Sequence, residues 1–354
     1  MDPRTRPTPE TALLLDDPRF DAHAPRAYHP ERPERLLAAR AAAENAARSG
    51  SVSWTAVAAR EATDDELSRV HAPAYVEELG KLRGQEAILD ADTYLAKGSV
   101  AAARLAAGGL VAMVDALLDG GVATKGVALL RPPGHHARPA QAMGFCLLNN
   151  VAVAAAHARA RGISRVAVID FDVHHGNGTQ EMFWNDPSVL YVSTHQWPFY
   201  PGSGAANERG EGEGKGFTVN VPLSAGGGDA IYRGAFERVV LPVLDAYAPE
   251  LVLVSAGFDP AHRDPLAQME VGDRAFGWMA RALACVAAKS ASGRMVLALE
   301  GGYDLVALEG GLGEAIAGMM GVPEESTPGI PRTMDDPDLN RAARAAHKAW
   351  ASVS

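Results

Sequence analysis

The chain has 354 residues, 47% of them hydrophobic, which is enough for one large α/β domain or two smaller ones with a sizeable core. Its formal net charge of −10 argues against nonspecific nucleic-acid binding but leaves room for a basic partner, such as a lysine-rich or polyamine substrate. Two cysteines, Cys146 and Cys285, with no CxxC pair, exclude a disulfide scaffold and a thiolate zinc site.

No basic-then-apolar leader opens the chain, and no apolar run approaches about 18 residues. A soluble, cytoplasmic protein without membrane contact is expected. Residues 1–30 are rich in proline and arginine, with one apolar piece, Ala12–Leu15, that reads as a first strand. His29-Pro-Glu-Arg-Pro-Glu-Arg35 leads into an Ala/Leu helix ending near Arg48, with proline at its first turn. Ser53–Ala58 alternates as a short strand, and Thr63-Asp-Asp-Glu66 is a capping box that opens a short helix. Ala74–Leu82 predicts a further helix. Gly84 to Gly98 reads as a loop carrying Asp90, Asp92 and Tyr94. Ser99–Asp119 predicts a long Ala-rich helix. Gly126–Leu130 predicts a buried strand, followed by the rigid turn Arg131-Pro-Pro-Gly-His-His136.

Leu147–Arg161 predicts a helix stopped by Gly162. Val166–Ile169 predicts a fully buried strand, Thr179–Trp184 a short helix, and Val189–Ser193 another strand. His195 to Gly216 is a long Gly-rich loop. Thr218–Val221 and Leu251–Ser255 predict strands on either side of a helix, Asp229–Tyr247. Asp273–Lys289 predicts a helix, Met295–Leu299 a strand, and Leu305–Met320 a helix. The tail from Pro323 is polar, with a last helix near Leu339–Trp350. No linker divides the chain, so one domain over residues 1–354 is expected: a core over about 10–322, then a tail and helix over 323–354. Strands alternating with helices indicate an α/β fold with a mostly parallel sheet covered on both faces.

The chemistry concentrates after the strands. Asp170, Asp172 and His174 share one side of an extended backbone. Two carboxylates and an imidazole there repel and lose hydration, and a bound cation removes that cost. Ligands of open α/β sheets bind beyond the carboxyl ends of the strands. Four strands end in polar, Gly-rich turns that can meet there. They carry His135 and His136; Asp170, Asp172 and His174; Asp259; and Gly301, Gly302 and Tyr303. Asp172, His174 and Asp259 make a three-ligand O/N/O set with open positions, which is catalytic in style. Zinc fits, and Fe(II) or Mn(II) also suits two carboxylates and an imidazole. His135 and His136 are candidate proton carriers. Tyr303, behind two glycines, can donate its phenol to a polarised carbonyl.

These residues resemble the arginase-like histone deacetylase superfamily, in its class II-like, bacterial-type form that also includes acetylpolyamine amidohydrolases. The resemblance runs from about His29 to Tyr303. It rests on Arg131-Pro-Pro-Gly-His-His136, Gly144-Phe145, Asp170-Phe-Asp-Val-His-His-Gly-Asn-Gly178, Tyr200-Pro-Gly-Ser-Gly204, Ser255-Ala-Gly-Phe-Asp259 and Glu300-Gly-Gly-Tyr303. It implies an eight-stranded parallel sheet flanked by helices, one catalytic zinc, with Fe(II) or Co(II) as substitutes, and two structural potassium ions. By position, Asp172, His174 and Asp259 resemble the zinc ligands. His135 resembles the first histidine of the pair, held by Asp170. His136 resembles the general base, with Asn177 as its outer partner, and Tyr303 resembles the transition-state tyrosine.

The inner potassium site resembles Asp170, Asp172 and His174 with Ser193 and Thr194; the outer one resembles Phe183, Asp186, Val189 and Phe217. Phe145, after Gly144, and Tyr200 resemble the walls of an acyl-lysine tunnel, Asp92 its rim acid, and Gly301 part of the substrate-binding surface. Arg35 resembles an internal arginine near the acetate-release channel. Leu266 stands where animal polyamine deacetylases carry a gatekeeping glutamate. The resemblance therefore implies a zinc-dependent amide hydrolase acting on acyl-lysine in proteins or peptides, with acetylpolyamine hydrolysis as the alternative. An arginase-like manganese hydrolase and a non-catalytic acetyl-lysine binder fit the intact tyrosine and histidine pair less well. Homo-oligomerisation is left open.

Overall fold

The computed structural model describes residues 10–121, 123–321 and 336–351. The first half runs β1 (Glu10–Leu15), α1 (Glu34–Arg48), β2 (Val52–Ala56), α2 (Asp64–Leu67), α3 (Pro73–Lys81), β3 (Ala87–Asp90), β4 (Thr93–Leu95), α4 (Ser99–Leu118), β5 (Lys125–Ala128) and α5 (Asn150–Ala160). It continues with β6 (Val166–Asp170), α6 (Asn177–Met182), β7 (Val189–Gln196), β8 (Thr218–Leu223), α7 (Asp229–Ala235) and α8 (Leu241–Tyr247). Then come β9 (Leu251–Ala256), α9 (Asp273–Ser290), β10 (Met295–Leu299), α10 (Leu305–Met319) and α11 (Pro337–His347).

The main sheet has eight strands in the order β2-β1-β5-β10-β9-β6-β7-β8, and every pairing in it is parallel. Every residue of β6, β7, β8, β9 and β10 is buried. That requires cover on both faces, which is why β6, β9 and β10 read as nearly unbroken apolar runs. α4 and α5 pack together on β1, β5, β6 and β9, while α1, α10, α9 and α8 pack in succession. β5, β10, β9 and β6 are consecutive in the sheet, so their carboxyl ends lie side by side. Register places Asp170 opposite Ser255 and Ala256 opposite Leu299.

Local chemistry sets the element ends. The capping box is present: Thr63 Oγ1 accepts from Glu66 N, and Glu66 Oε2 accepts from Thr63 N. α5 starts later than predicted because the Asn149 side chain caps it by accepting from Ala152 N. The predicted Asp229–Tyr247 helix is interrupted by a π turn at Phe236–Val240. Pro242, just beyond, has no N–H to continue the regular ladder.

Two expectations are corrected. Part of the predicted 84–98 loop is an antiparallel hairpin, β3–β4, with Ala91 and Asp92 at its tip. By length and composition α4 could cross a membrane, although the sequence reading found no such run; it is mostly buried against the rest of the protein. The predicted tail over 323–335 lies outside the described residues. The last helix, α11, lies against β8 at the edge of the sheet, and Trp350 Nε1 donates to Gly216 O at 2.8 Å. Covering an edge strand in this way blocks strand addition.

Candidate active site

β6 ends at Asp170, and the next turn returns over the sheet end. Asp172, His174 and Asp259 are buried there, with ligand atoms all within 4.8 Å of one another. His174 Nδ1 lies 3.2 Å from Asp172 Oδ1 and 3.1 Å from Asp259 Oδ2. Burial alone would keep His174 neutral, but its bonds to Asp172 and Asp259 hold it up at about 10. Burial and the neighbouring Asp172 charge push Asp259 up to about 7. The cluster thus holds a proton where a divalent cation would satisfy both carboxylates and free the imidazole nitrogen, so these donors fit a metal. Gly301 makes room for them: a Cβ there would meet Asp259 Oδ2 at 2.2 Å and Asp172 Oδ2 at 2.5 Å. Its N–H donates to Asp172 Oδ2 at 2.8 Å.

The tandem histidines follow β5. Each ring is tied at Nδ1: His135 to Asp170 Oδ2 at 3.0 Å, and His136 to Asn177 Oδ1 at 2.8 Å. The Asn177 carbonyl only accepts, so His136 Nδ1 carries the proton and Nε2 is left as a base. Burial would depress His135, yet the Asp170 and Asp172 charges raise it to about 10. His136 is held well below its usual range by burial and by the positive charges of His135 and His174. Adjacent histidines thereby take opposite states, one cationic and one neutral.

The third turn, after β10, carries Tyr303. Its ring packs edge-on to Phe145 at 5.8 Å between centroids, with the Arg35 guanidinium 4.8 Å from its centre. Burial keeps its phenol protonated and able to donate. Arg35 is fully buried; its Nε donates to Gly302 O at 2.7 Å, and its other nitrogens reach Glu300 O and Glu31.

The walls above the cluster are aromatic. Phe145 has φ 68°, an uncommon conformation for a bulky residue, and follows Gly144, where a Cβ would strike the His136 ring at 2.4 Å. Tyr200 stands perpendicular to His136 at 5.1 Å. Asp92, at the hairpin tip, accepts from Gly144 N at 3.3 Å, so rim and wall are bonded together. Leu266 is half-buried, and its N–H donates to Asp264 Oδ1 at 3.0 Å.

The residues likened to the potassium sites lie around this turn and below it. Thr194 Oγ1 is buried without a hydrogen-bond partner, whereas Ser193 Oγ bonds His195 Nδ1 at 2.9 Å. Phe183 O accepts from Asp186 N at 3.1 Å, Val189 opens β7, and Phe217 O accepts from Tyr191 N at 2.9 Å.

The sequence reading assigned nothing to four residues the fold makes prominent. Phe199 stacks on His174 at 5.6 Å and 19°. Glu31 joins Arg131 to Arg35 in the buried interior. The Glu300 carboxylate accepts from Gly134 N at 2.6 Å, from His135 N at 3.2 Å and from Ser255 Oγ at 3.1 Å, bracing the histidine turn from β10. Asp264 braces Tyr303. An acidic residue in an otherwise apolar strand-end motif was the available signal for Glu300.

The fold and the site define an α/β protein with a three-residue cluster that could hold a metal, a tandem histidine pair and a buried tyrosine at the carboxyl end of a parallel sheet. A family model described as the histone deacetylase domain matches residues 29–319. The chain belongs to the histone deacetylase family. It is 43% identical over 308 residues to histone deacetylase 15 of Arabidopsis thaliana, covering 85% of this chain and 54% of that one. It is 42% identical over 366 residues to polyamine deacetylase HDAC10 of Homo sapiens, covering 97% of this chain and 51% of that one. The chain therefore spans about half the length of these relatives. The crystal structure of the HDA15 HD domain matches it with a TM-score of 0.85 at 39% identity, covering 98% of this chain and 97% of that one. The arginase/deacetylase fold expected from the motifs is thus borne out.

Proposed function

We propose that the protein is a metal-dependent deacetylase that hydrolyses the amide of N-ε-acetyl-lysine in peptides or proteins and releases acetate. One observation carries this reading: His136 is bonded at Nδ1 to Asn177, Tyr200 lies against both His136 and His174, and the buried Tyr303 packs on Phe145, beside the Asp172/His174/Asp259 cluster. A non-catalytic acetyl-lysine binder needs no such set.

Asp172, His174 and Asp259 would hold a zinc ion, which would supply Lewis acidity toward an acyl carbonyl and a water. Phe145 and Tyr200 hold the lysine stem and exclude bulk water. Asp92 accepts hydrogen bonds from substrate amides at the rim. His136 takes the proton of the attacking water. The Tyr303 phenol donates to the oxyanion as it forms. His135, kept cationic by Asp170, stabilises that charge, and the pair returns a proton to the leaving amine. Arg35, beneath Tyr303, faces the departing acetate. Potassium is proposed at both oxygen-rich sets; the unpartnered Thr194 hydroxyl supports the inner one. Removing one oxyanion donor by Tyr303→Phe should lower turnover about 10²–10³-fold with KM little changed. Wild-type turnover in that variant leaves the hydroxyl only a packing role.

Acetylpolyamine hydrolysis is the second reading, favoured by the likeness to polyamine deacetylase HDAC10 over 97% of the chain. Leu266 favours lysine, because it adds no negative charge at the rim for a dication. The deciding assay compares kcat/KM on acetyl-lysine peptides and on N8-acetylspermidine, with metal analysis of the same preparation. The peptide should be preferred, and Leu266→Glu should shift preference toward the polyamine. A wild-type preference of about tenfold or more for acetylspermidine makes polyamine hydrolysis the function instead.

A further inference from the structure

Asp264 lies in the loop between β9 and α9, and no step of the proposed reaction uses it. Its side chain is buried, a costly place for a carboxylate unless its lone pairs are occupied. They are occupied by backbone. Oδ1 accepts from Leu266 N at 3.0 Å, and Oδ2 accepts from Tyr303 N at 2.6 Å and from Asp304 N at 3.1 Å. One carboxylate therefore joins the backbone of Leu266 to that of the residue bearing the phenol.

The turn it grips is fixed before Gly302 by other groups: Gly301 N donates to Asp172 Oδ2 at 2.8 Å, and Gly301 O accepts from Phe258 N at 3.1 Å. Gly302, with φ 113°, gives the segment before Tyr303 the backbone freedom of glycine. Arg35 holds the carbonyl side of this turn at Gly302 O, and Asp264 holds the amide side. The two contacts bracket the peptide from which the phenol projects. Small errors in placing a catalytic group have large effects on rate.

We propose that Asp264 is a positioning residue: it sets where the Tyr303 hydroxyl points and couples that position to the tunnel rim at Leu266. It acts through Tyr303 and does not touch the substrate. A substrate that displaces the 266 backbone thereby shifts the oxyanion donor, so rim recognition and turnover are linked. The inference rests on the deacetylase reading and adds to it a residue and a route of specificity.

The test is a double-mutant cycle on purified protein: wild type, Asp264→Asn, Tyr303→Phe and the double variant. Each is assayed on an acetyl-lysine peptide and on N8-acetylspermidine, with metal content measured. Asp264→Asn keeps one acceptor oxygen and turns an NH2 toward a backbone N–H. It should lower kcat about 10–100-fold on the peptide, with KM within about twofold and metal content unchanged. In the Tyr303→Phe background the same change should cost less than about threefold, because the hydroxyl it positions is gone. The ratio of kcat/KM between the two substrates should also move, which a general loss of folded protein cannot cause. Should Asp264→Asn not fold, Asp264→Ser, smaller and still an acceptor, is read by the same cycle. An active wild type with unchanged kcat in the variant, or with equal losses in both backgrounds, overturns this inference alone. A wild type inactive on every acylated amine overturns the deacetylase reading and this inference with it.

Discussion

Dialysis against a chelator should abolish amide hydrolysis, and about one equivalent of Zn(II), Co(II) or Fe(II) per chain should restore it. The expectation follows from the buried Asp172/His174/Asp259 cluster, whose ligand atoms lie within 4.8 Å of one another. Asp172 and Asp259 are almost wholly removed from water, and no lysine or arginine is paired with either among the described residues. Such a pair of carboxylates needs a compensating positive charge, and the cleft beside it needs an electrophile. Asp259→Asn keeps the shape and removes one charge. Changing even the outer partners of a metal ligand typically costs about 10–100-fold in affinity, so loss of the ligand itself should exceed that. Metal content after gel filtration and turnover under saturating metal separate the two effects. Full activity from a metal-free preparation would remove the mechanism altogether.

His136→Ala should lower turnover by about 10²–10⁴-fold, the range of a lost general base. His135→Ala should cost less. The difference lies in the two partners. Asn177 presents a neutral carbonyl to His136, which burial and the neighbouring cationic His135 keep unprotonated with Nε2 free. Asp170 presents a carboxylate to His135, which stays protonated and cannot accept a proton. His135 therefore contributes positive charge and placement, and the placement is partly kept by the Glu300 brace on its backbone. The comparison is kcat for the two alanine variants on one acetyl-lysine peptide. A much larger loss in His135→Ala reverses the assignment of base and electrostatic partner.

The candidate site was largely legible because its residues sit where local patterns end. Asp172, His174, Asp259, His135, His136 and Tyr303 each follow an apolar strand run by a few residues, in turns marked by glycine or proline. The hairpin β3–β4 escaped because Ala87–Asp90 and Thr93–Leu95 are too short for alternation to register, and they pair only with each other. It carries Asp92 to the backbone of Gly144, so the position of that acid was not readable even though its identity was. α4 misled in the opposite direction. Its apolarity exceeds what the reading allowed, because it serves as a core helix packed on α5 and the sheet.

By itself the sequence determined most of the strands and helices and which residue types stand at their ends, since periodicity, capping and glycine turns act between near neighbours. It thereby also marked the candidate metal ligands and the histidine pair, whose chemistry is carried by residue type. Only the tertiary structure decided that β5, β10, β9 and β6 are neighbours in that order, which is not their order in the chain. Only it decided what the buried acids hold. Glu300 reaches an amide 166 residues away at Gly134, and Asp264 one 39 residues away at Tyr303. The physical reason is that each of these partners is a backbone N–H. Nearly every residue has one, so no side chain marks which amide a distant carboxylate will meet once the strands have crossed.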